Sequence, residues 1–238
     1  MPGIVVGIGG NPLESVHAAT RQLAHVPWHA TGAAGIASQL ALGWSGFSQS
    51  FDSKSWSAGA GREVQVWRYG HTFAARPSPH AIGASEILRD YLNGGVDACC
   101  DYDGSFVVAI ADTRTQRLYV VPDRLCTHPL YYAEDGSRVA IGPEVKAIAT
   151  VLGATPTLSL DGVIAFLTTG YNIGRQTLFA GIERLELGKL LEIDWSDAPR
   201  LSVRRFWKLD FGAADKFEDR RDAEDALFAA IKEAHRLL

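Results

Sequence analysis

Residues 105–121 read S-F-V-V-A-I-A, then D-T-R-T-Q, then R-L-Y-V-V. Two apolar runs, Ser105 to Ala111 and Arg117 to Val121, flank a polar turn from Asp112 to Gln116. That pattern predicts a β-hairpin. Just downstream, Leu130-Tyr131-Tyr132 and Val139-Ala140-Ile141 flank Glu134-Asp135-Gly136 as a second hairpin. Upstream, Val64, Val66 and Trp67 lie in a strand-like run ended by Tyr69-Gly70. Gly3 to Gly10 (GIVVGIGG) is a β-branched run bounded by glycine, as a buried N-terminal strand would be. Segments 188–195 and 201–207 read as further strands, and 36–47 is apolar and uncharged.

Helical patterns are fewer. Segment 12–27 forms a short helix broken by Pro27, and 82–92 carries Ile87, Leu88, Tyr91 and Leu92 at helical spacing before Asn93-Gly94-Gly95 stops it. Ser159 can cap a helix to about Thr169. From Glu218 to Leu238, Ala223, Leu227, Ile231, Ala234 and Leu238 recur every three or four residues, an amphipathic helix preceded by a linker through Asp215-Lys216. The Ser- and Gly-rich segment 48–61 reads as a loop. Hairpin-linked strands with few helices predict an α+β architecture of antiparallel sheets covered by helices.

Composition narrows the class. The chain has 238 residues, 47% hydrophobic and 21% charged, enough for a well-buried core. Its net charge of −4 gives no electrostatic case for a nucleic-acid partner. No apolar run approaches the roughly 20 residues that span a bilayer, and no signal-peptide pattern opens the chain, so no membrane partner and a cytoplasmic location are expected. Cys99, Cys100 and Cys126 form no C-x-x-C pair. They are expected as small buried hydrophobes in a reducing compartment, with no metal site in this chain.

The order of short motifs carries a resemblance. Asp103-Gly104-Ser105-Phe106, Asp123-Arg124-Leu125, Pro129-Leu130-Tyr131-Tyr132 and Glu144-Val145-Lys146-Ala147-Ile148 follow one another at fixed spacing. So do Leu160-Asp161, Phe166-Leu167, Gly170-Tyr171, Thr177-Leu178-Phe179-Ala180-Gly181-Ile182 and Phe206-Trp207. Over about residues 82–208 this resembles the asparagine-synthetase-type class II glutamine amidotransferases, with their D-G-x-F, D-R-x-G-x-(R/K)-P-L-Y-Y and T-(L/I)-F-x-G-I series. The resemblance implies an N-terminal-nucleophile-hydrolase-like αββα sandwich over residues 1–210. It implies that 211–238 is a linker and the first helix of a downstream ATP-dependent synthetase domain. ATP and magnesium would belong to that domain and not to this chain. Gly9-Gly10 is no phosphate loop, since no helix-opening Lys-Ser follows.

A glutaminase of this family attacks its substrate with an N-terminal cysteine, using the α-amine as base and backbone and Asn donors for the oxyanion. Here Pro2 holds that place, so no catalytic residue is assigned. Tyr69-Gly70-His71 stands where the family has N-G-E, and Gly83-Ala84-Ser85-Glu86 where it has S-D-x-E, so Ala84 replaces the carboxylate that grips the substrate amine. No arginine lies between Arg21 and Arg62 to hold the substrate carboxylate. Pro2, Tyr69, Gly70, His71, Ala84 and Ser85 are therefore read as a vestigial glutamine pocket. His128 is read as a turn residue, and Asp123 with Arg124 as a structural ion pair holding the hairpin.

The resemblance then implies a glutaminase-like scaffold, inactive toward glutamine, in an ATP-dependent amide-bond-forming enzyme. Among cysteine-less relatives, lasso-peptide cyclases and β-lactam synthetases close intramolecular amides, and the lasso-peptide cyclase is favoured here. Partners would be a synthetase domain in cis or in trans, and a peptide substrate or its leader-processing protein. An active glutamine-hydrolysing asparagine synthetase and a stand-alone interaction domain are the alternatives.

Overall fold

The computed structural model describes residues 2–47, 55–74, 80–213, 217 and 219–236. The chain opens with β1 (Gly3–Ile8), α1 (Pro12–Gln22), β2 (His29–Ala37) and β3 (Leu40–Phe47). Then come β4 (Trp56–Ala58), β5 (Val64–Phe73), α2 (Ala84–Gly94), β6 (Asp103–Asp112) and β7 (Arg117–Pro122). β8 (Tyr131–Glu134), β9 (Val139–Gly142), α3 (Val145–Leu152) and α4 (Leu160–Thr169) follow. β10 (Glu183–Arg184), β11 (Lys189–Asp194), β12 (Arg200–Arg205) and α5 (Arg220–Arg236) complete the order.

The strands form two six-stranded sheets, ordered β10-β8-β9-β1-β3-β2 and β12-β11-β7-β6-β5-β4, with antiparallel pairing throughout. Side chains alternate across each strand, so a sheet covered on both faces needs apolar residues at every position. β1 meets that need: Ile4, Val6 and Ile8 join Trp67, Val107, Val120 and Leu191 between the sheets, while Val5 turns to α1 and α3 with Val16, Ile148 and Val151. On the far side, Val64, Val66, Val108 and Ile110 pack under Ile87, Leu88 and Tyr91 of α2. The layers are thus helix, sheet, sheet, helix, the expected α+β sandwich. Close approach of α1 depends on two glycines: a Cβ on Gly7 would lie 2.7 Å from Val16 Cγ2, and one on Gly43 2.6 Å from Thr20 Cγ2.

Both predicted hairpins form, and Ser159 caps α4 by accepting from the Gly162 N–H at 3.2 Å. Four details differ from expectation. α1 stops at Gln22, well before Pro27, because Leu23 is fully buried against the first sheet and the chain must turn into β2. β2 was not legible, since H-A-T-G-A-A-G-I-A has little strand propensity. It is an edge strand held by its pairing with β3, and the Trp44 indole leaves no room for a Cβ on Gly32. β5 does not end at Tyr69-Gly70 but runs on to Phe73, pairing with β6 to Asp103. Residues 56–58 of the expected loop pair with β5 as β4, while 48–54 lie outside the described residues, as do Asp215-Lys216 of the linker and 237–238 of the last helix. No helix among the described residues is long and apolar enough to cross a membrane.

Asp112, only 1% exposed, closes the outer layer. It accepts from Tyr91 Oη at 3.1 Å and from Arg114 N, Nε and Nη2 at 3.0, 2.9 and 2.7 Å. Burial alone pushes its pKa up, but the Arg114 and Tyr91 hydrogen bonds outweigh that and hold it below the usual carboxylate range. A depressed folded pKa stabilises the protein above the unfolded value, about 3.9, and the gain is lost as pH falls through that value toward the folded one. Asp112→Asn is expected to cost about 1–3 kcal/mol at pH 7. In urea titrations the gap to the native chain should shrink once pH drops below about 4.

Candidate functional site

Three of the residues read as a glutamine pocket, Pro2, Tyr69 and Gly70, lie where β1, β3, β5 and β6 converge. Pro2 precedes β1 and is half-buried. A Cβ built on Gly46 of β3 would sit 3.5 Å from Pro2 Cβ and 3.2 Å from Tyr69 Cε2, so the proline ring and the tyrosine close on the same glycine. Tyr69 is buried between the sheets, which pushes its phenol pKa up, and its ring meets His128 edge-on at 5.1 Å. Gly70 has φ +88°, and a Cβ there would lie 2.1 Å from Ser105 O and 3.0 Å from His128 Nε2. Only glycine lets β5 press on β6 and His128 at this point. His128 is therefore more than the turn residue it was expected to be. Its Nε2 sits 3.1 Å from Ser105 Oγ, Ser105 lies 2.8 Å from Thr127 Oγ1, and Thr127 donates to Asp123 at 2.6 Å.

The other predicted residues sit around a neighbouring cavity of about 260 Å³ between the end of β5 and the start of α2. His71 and Ser85 line it with Arg68, Thr72 and Glu86. The two segments are laced together by the Ile82 N–H donating to Thr72 O at 2.8 Å and the Phe73–Ala81 bridge. Ala84 does not face the cavity: it is fully buried with Val66 and Ile87 under the helix. Ser85 Oγ donates to Ser57 Oγ at 3.2 Å, and Glu86 Oε2 accepts the Gly83 N–H at 2.8 Å, which ties the carboxylate to the helix start. Thr72 Oγ1 is buried with no hydrogen-bond partner among the described residues. Thus Pro2, Tyr69 and Gly70 gather on one side, and His71 and Ser85 on the other.

Sequence reasoning looked for an arginine in the early strands and missed Arg68 of β5. Its guanidinium is buried, lines the cavity and donates to Gly70 O. The signal was available, since Arg68 is the only charge in the run V-Q-V-W-R-Y.

Asp123 and Arg124 hold the β6–β7 end of the site, but not by pairing with each other. Arg124 pairs with Asp103 at 2.5 Å. Asp123 is 3% exposed and instead accepts backbone N–H groups of Phe106, Leu125 and Thr127. The reason is geometric: a residue followed by a tight turn aims its carboxylate at the turn's own amides. Cys126 completes that turn with φ +51°, at the glycine of the D-R-x-G pattern.

The thiols are ill-suited to attack. Burial pushes Cys99 up to about 12 and Cys100 and Cys126 to about 11, so all three are protonated near neutral pH. Cys99 packs under α2 and Cys126 between the sheets, away from the start of β1. No group of three or more His, Cys, Asp or Glu that could hold a metal occurs among the described residues.

The glutamine amidotransferase domain model matches residues 81–207, more than half of the chain. The chain belongs to that family. Within it, the chain is 24% identical over 135 residues to the glutamine-hydrolyzing asparagine synthetase 3 of Bacillus subtilis (strain 168), covering 56% of this chain and 22% of the relative. It is also 24% identical over 150 residues to a protein named putative glutamine-hydrolyzing asparagine synthetase 2, from Methanocaldococcus jannaschii, covering 61% and 29%. This is therefore an asparagine-synthetase-like glutamine amidotransferase domain, spanning less than a third of the length of these curated relatives. Among solved structures, glutamine phosphoribosylpyrophosphate amidotransferase from B. subtilis, complexed with ADP and GMP, matches with a TM-score of 0.55 at 11% identity, over 87% of this chain and 50% of the other. A structure described as the allosteric regulatory enzyme of purine biosynthesis matches equally well. The amidotransferase domain thus has the N-terminal-nucleophile-type sandwich expected for it.

Proposed function

We propose that this amidotransferase domain no longer hydrolyses glutamine and serves as the scaffold of an asparagine-synthetase-related, ATP-dependent amide ligase. The observation that carries the reading is Pro2 at the entry of β1, packed toward Gly46 and Tyr69 where the family's chemistry needs an N-terminal thiol. Burial of Ala84 in place of a carboxylate, and Tyr69 in place of an amide donor, point the same way. ATP and magnesium would be held by a synthetase partner. In such enzymes the carboxylate is adenylated and an amine of the same substrate attacks it, as in a lasso-peptide cyclase, the specific role we favour.

A scaffold needs a docking face, and α4 supplies one. Leu160, Ile164 and Leu167 recur along one side of the helix and are 72%, 51% and 76% exposed, with Tyr171 beyond them. Burying such side chains against a partner gains about 1.5–3 kcal/mol each.

Two measurements test the reading. The full-length protein with ATP, magnesium and a candidate precursor peptide should yield a product lighter by one water, with no ammonia taken from glutamine. Leu160→Asp with Leu167→Asp should lower that activity about tenfold or more, while the melting temperature of the 238-residue chain stays unchanged. Ammonia release from glutamine above background would overturn the proposal.

A further inference from the structure

Two cavities meet on the face formed by the β10 edge, the end of β12 and the loop after α4. They share Arg184 and Asn172, so they read as one groove. The first half, about 410 Å³, is lined by four cations, Arg184, Lys189, Arg205 and Lys208, against a single carboxylate, Glu186. Lys189 is paired with Glu186, and Lys208 with Asp210 at 3.3 Å. Arg184 and Arg205 have no ion pair among the described residues. Lys189 and Arg205 also stand directly opposite in the β11–β12 register. Like charges set opposite each other disfavour the strand pairing, and the chain as a whole is negative. The charge is therefore concentrated at one place against the trend of the molecule.

The apolar parts of the groove extend it. Trp207 and Leu209 wall the cationic half, and Phe166, Tyr171 and Phe179 line the second half, about 390 Å³. A compact phosphate or sulfate would engage the cations and leave the aromatic half empty. A chain carrying carboxylates and an apolar side chain would fill both halves. Guanidinium forks match carboxylates in two parallel hydrogen bonds.

We propose that this groove binds an extended acidic peptide, its carboxylates at Arg184 and Arg205 and an apolar side chain among Phe166, Tyr171 and Phe179. The inference rests on charge and shape at this groove and not on the ligase reading, so either can fail alone.

The test is fluorescence anisotropy of a fluorescein-labelled peptide of alternating glutamate and phenylalanine, titrated with the 238-residue chain. Saturable binding is expected, weakening as salt rises. Arg184→Glu combined with Arg205→Glu should weaken it about tenfold or more, as should replacing the peptide's glutamates by glutamines. Arg220→Glu on α5 should leave it unchanged. Both groove arginines are exposed, and a thermal melt checks that the variant folds. If the charge reversal does not fold, Arg184→Gln with Arg205→Gln gives the same reading. Undetectable binding, equal affinity for the glutamine peptide, or native affinity in the double variant would overturn the proposal. Displacement of the peptide by an equal concentration of inorganic phosphate would overturn it in favour of a phosphate site.

Discussion

Asp123→Ala is expected to destabilise the fold by about 3–5 kcal/mol, the largest stability loss among the polar residues of the site. The carboxylate is 3% exposed and accepts from Phe106 N at 3.3 Å, Leu125 N at 3.0 Å, Thr127 N at 3.1 Å and Thr127 Oγ1 at 2.6 Å. Truncation leaves those donors facing a small apolar void, and each buried donor without a partner costs about 1–3 kcal/mol before relaxation. Water reaching the turn offsets part of that sum. Asp123→Asn keeps one oxygen but turns an N–H₂ toward amide donors, so its loss should be only slightly smaller. Arg124→Ala is the control. Its pair with Asp103 is about one-third exposed, at 32% and 37%, so the cost should stay within about 1 kcal/mol. Denaturant unfolding of the three variants separates the two roles. Equal losses for Asp123→Ala and Arg124→Ala would restore the picture of a mutual ion pair.

Pro2→Cys is expected to leave glutamine hydrolysis at the no-enzyme background, the level also expected of the native chain. Restoring the thiol supplies only the nucleophile. An oxyanion-hole donor is worth about 10²–10³ in rate, and Tyr69 stands where the amide donor would be. On the proposed reading the substrate amine also lacks its carboxylate, with Ala84 buried under α2 in that place. These deficits act on different parts of one transition state, so repairing one leaves the others in place. Adding Ala84→Asp should not rescue turnover either, because residue 84 packs with Val66 and Ile87 and a charge there would have to leave the core. Ammonia release coupled to glutamate formation is the readout. Turnover by Pro2→Cys alone would mean that the pocket is intact and only its nucleophile is gone. Turnover by the native chain would mean that another group attacks the amide.

How much of this was legible differs from element to element. The β6–β7 hairpin is apolar on both sides of a polar turn, and a strand buried on both faces can read no other way. The ordered motifs from Asp103 to Trp207 identified the family, because close packing and turn geometry tie residue types to places along the chain. Pro2 was legible for the same reason: a side chain without a nucleophilic atom needs no structure to be recognised. β2 escaped, since its alanines and glycines carry little strand preference and Gly32 is required by the bulk of Trp44 across the ladder. The extension of β5 past Gly70 escaped because its pairing partner, β6, lies 30-odd positions on in the chain, and only the ladder between them holds Gly70 at positive φ.

The site divides along the same line. Which residue types stand at the family's glutamine positions was legible in the sequence alone, because the motifs fix their places along the chain. Where those residues went was decided by tertiary packing. Arg68 entered the cavity, Ala84 left it, His128 came to rest on Tyr69, and Asp123 turned from Arg124 to the amides of its own turn. Each outcome depends on which face of a strand or helix is covered by another layer, and that is set by contacts between segments far apart in the chain.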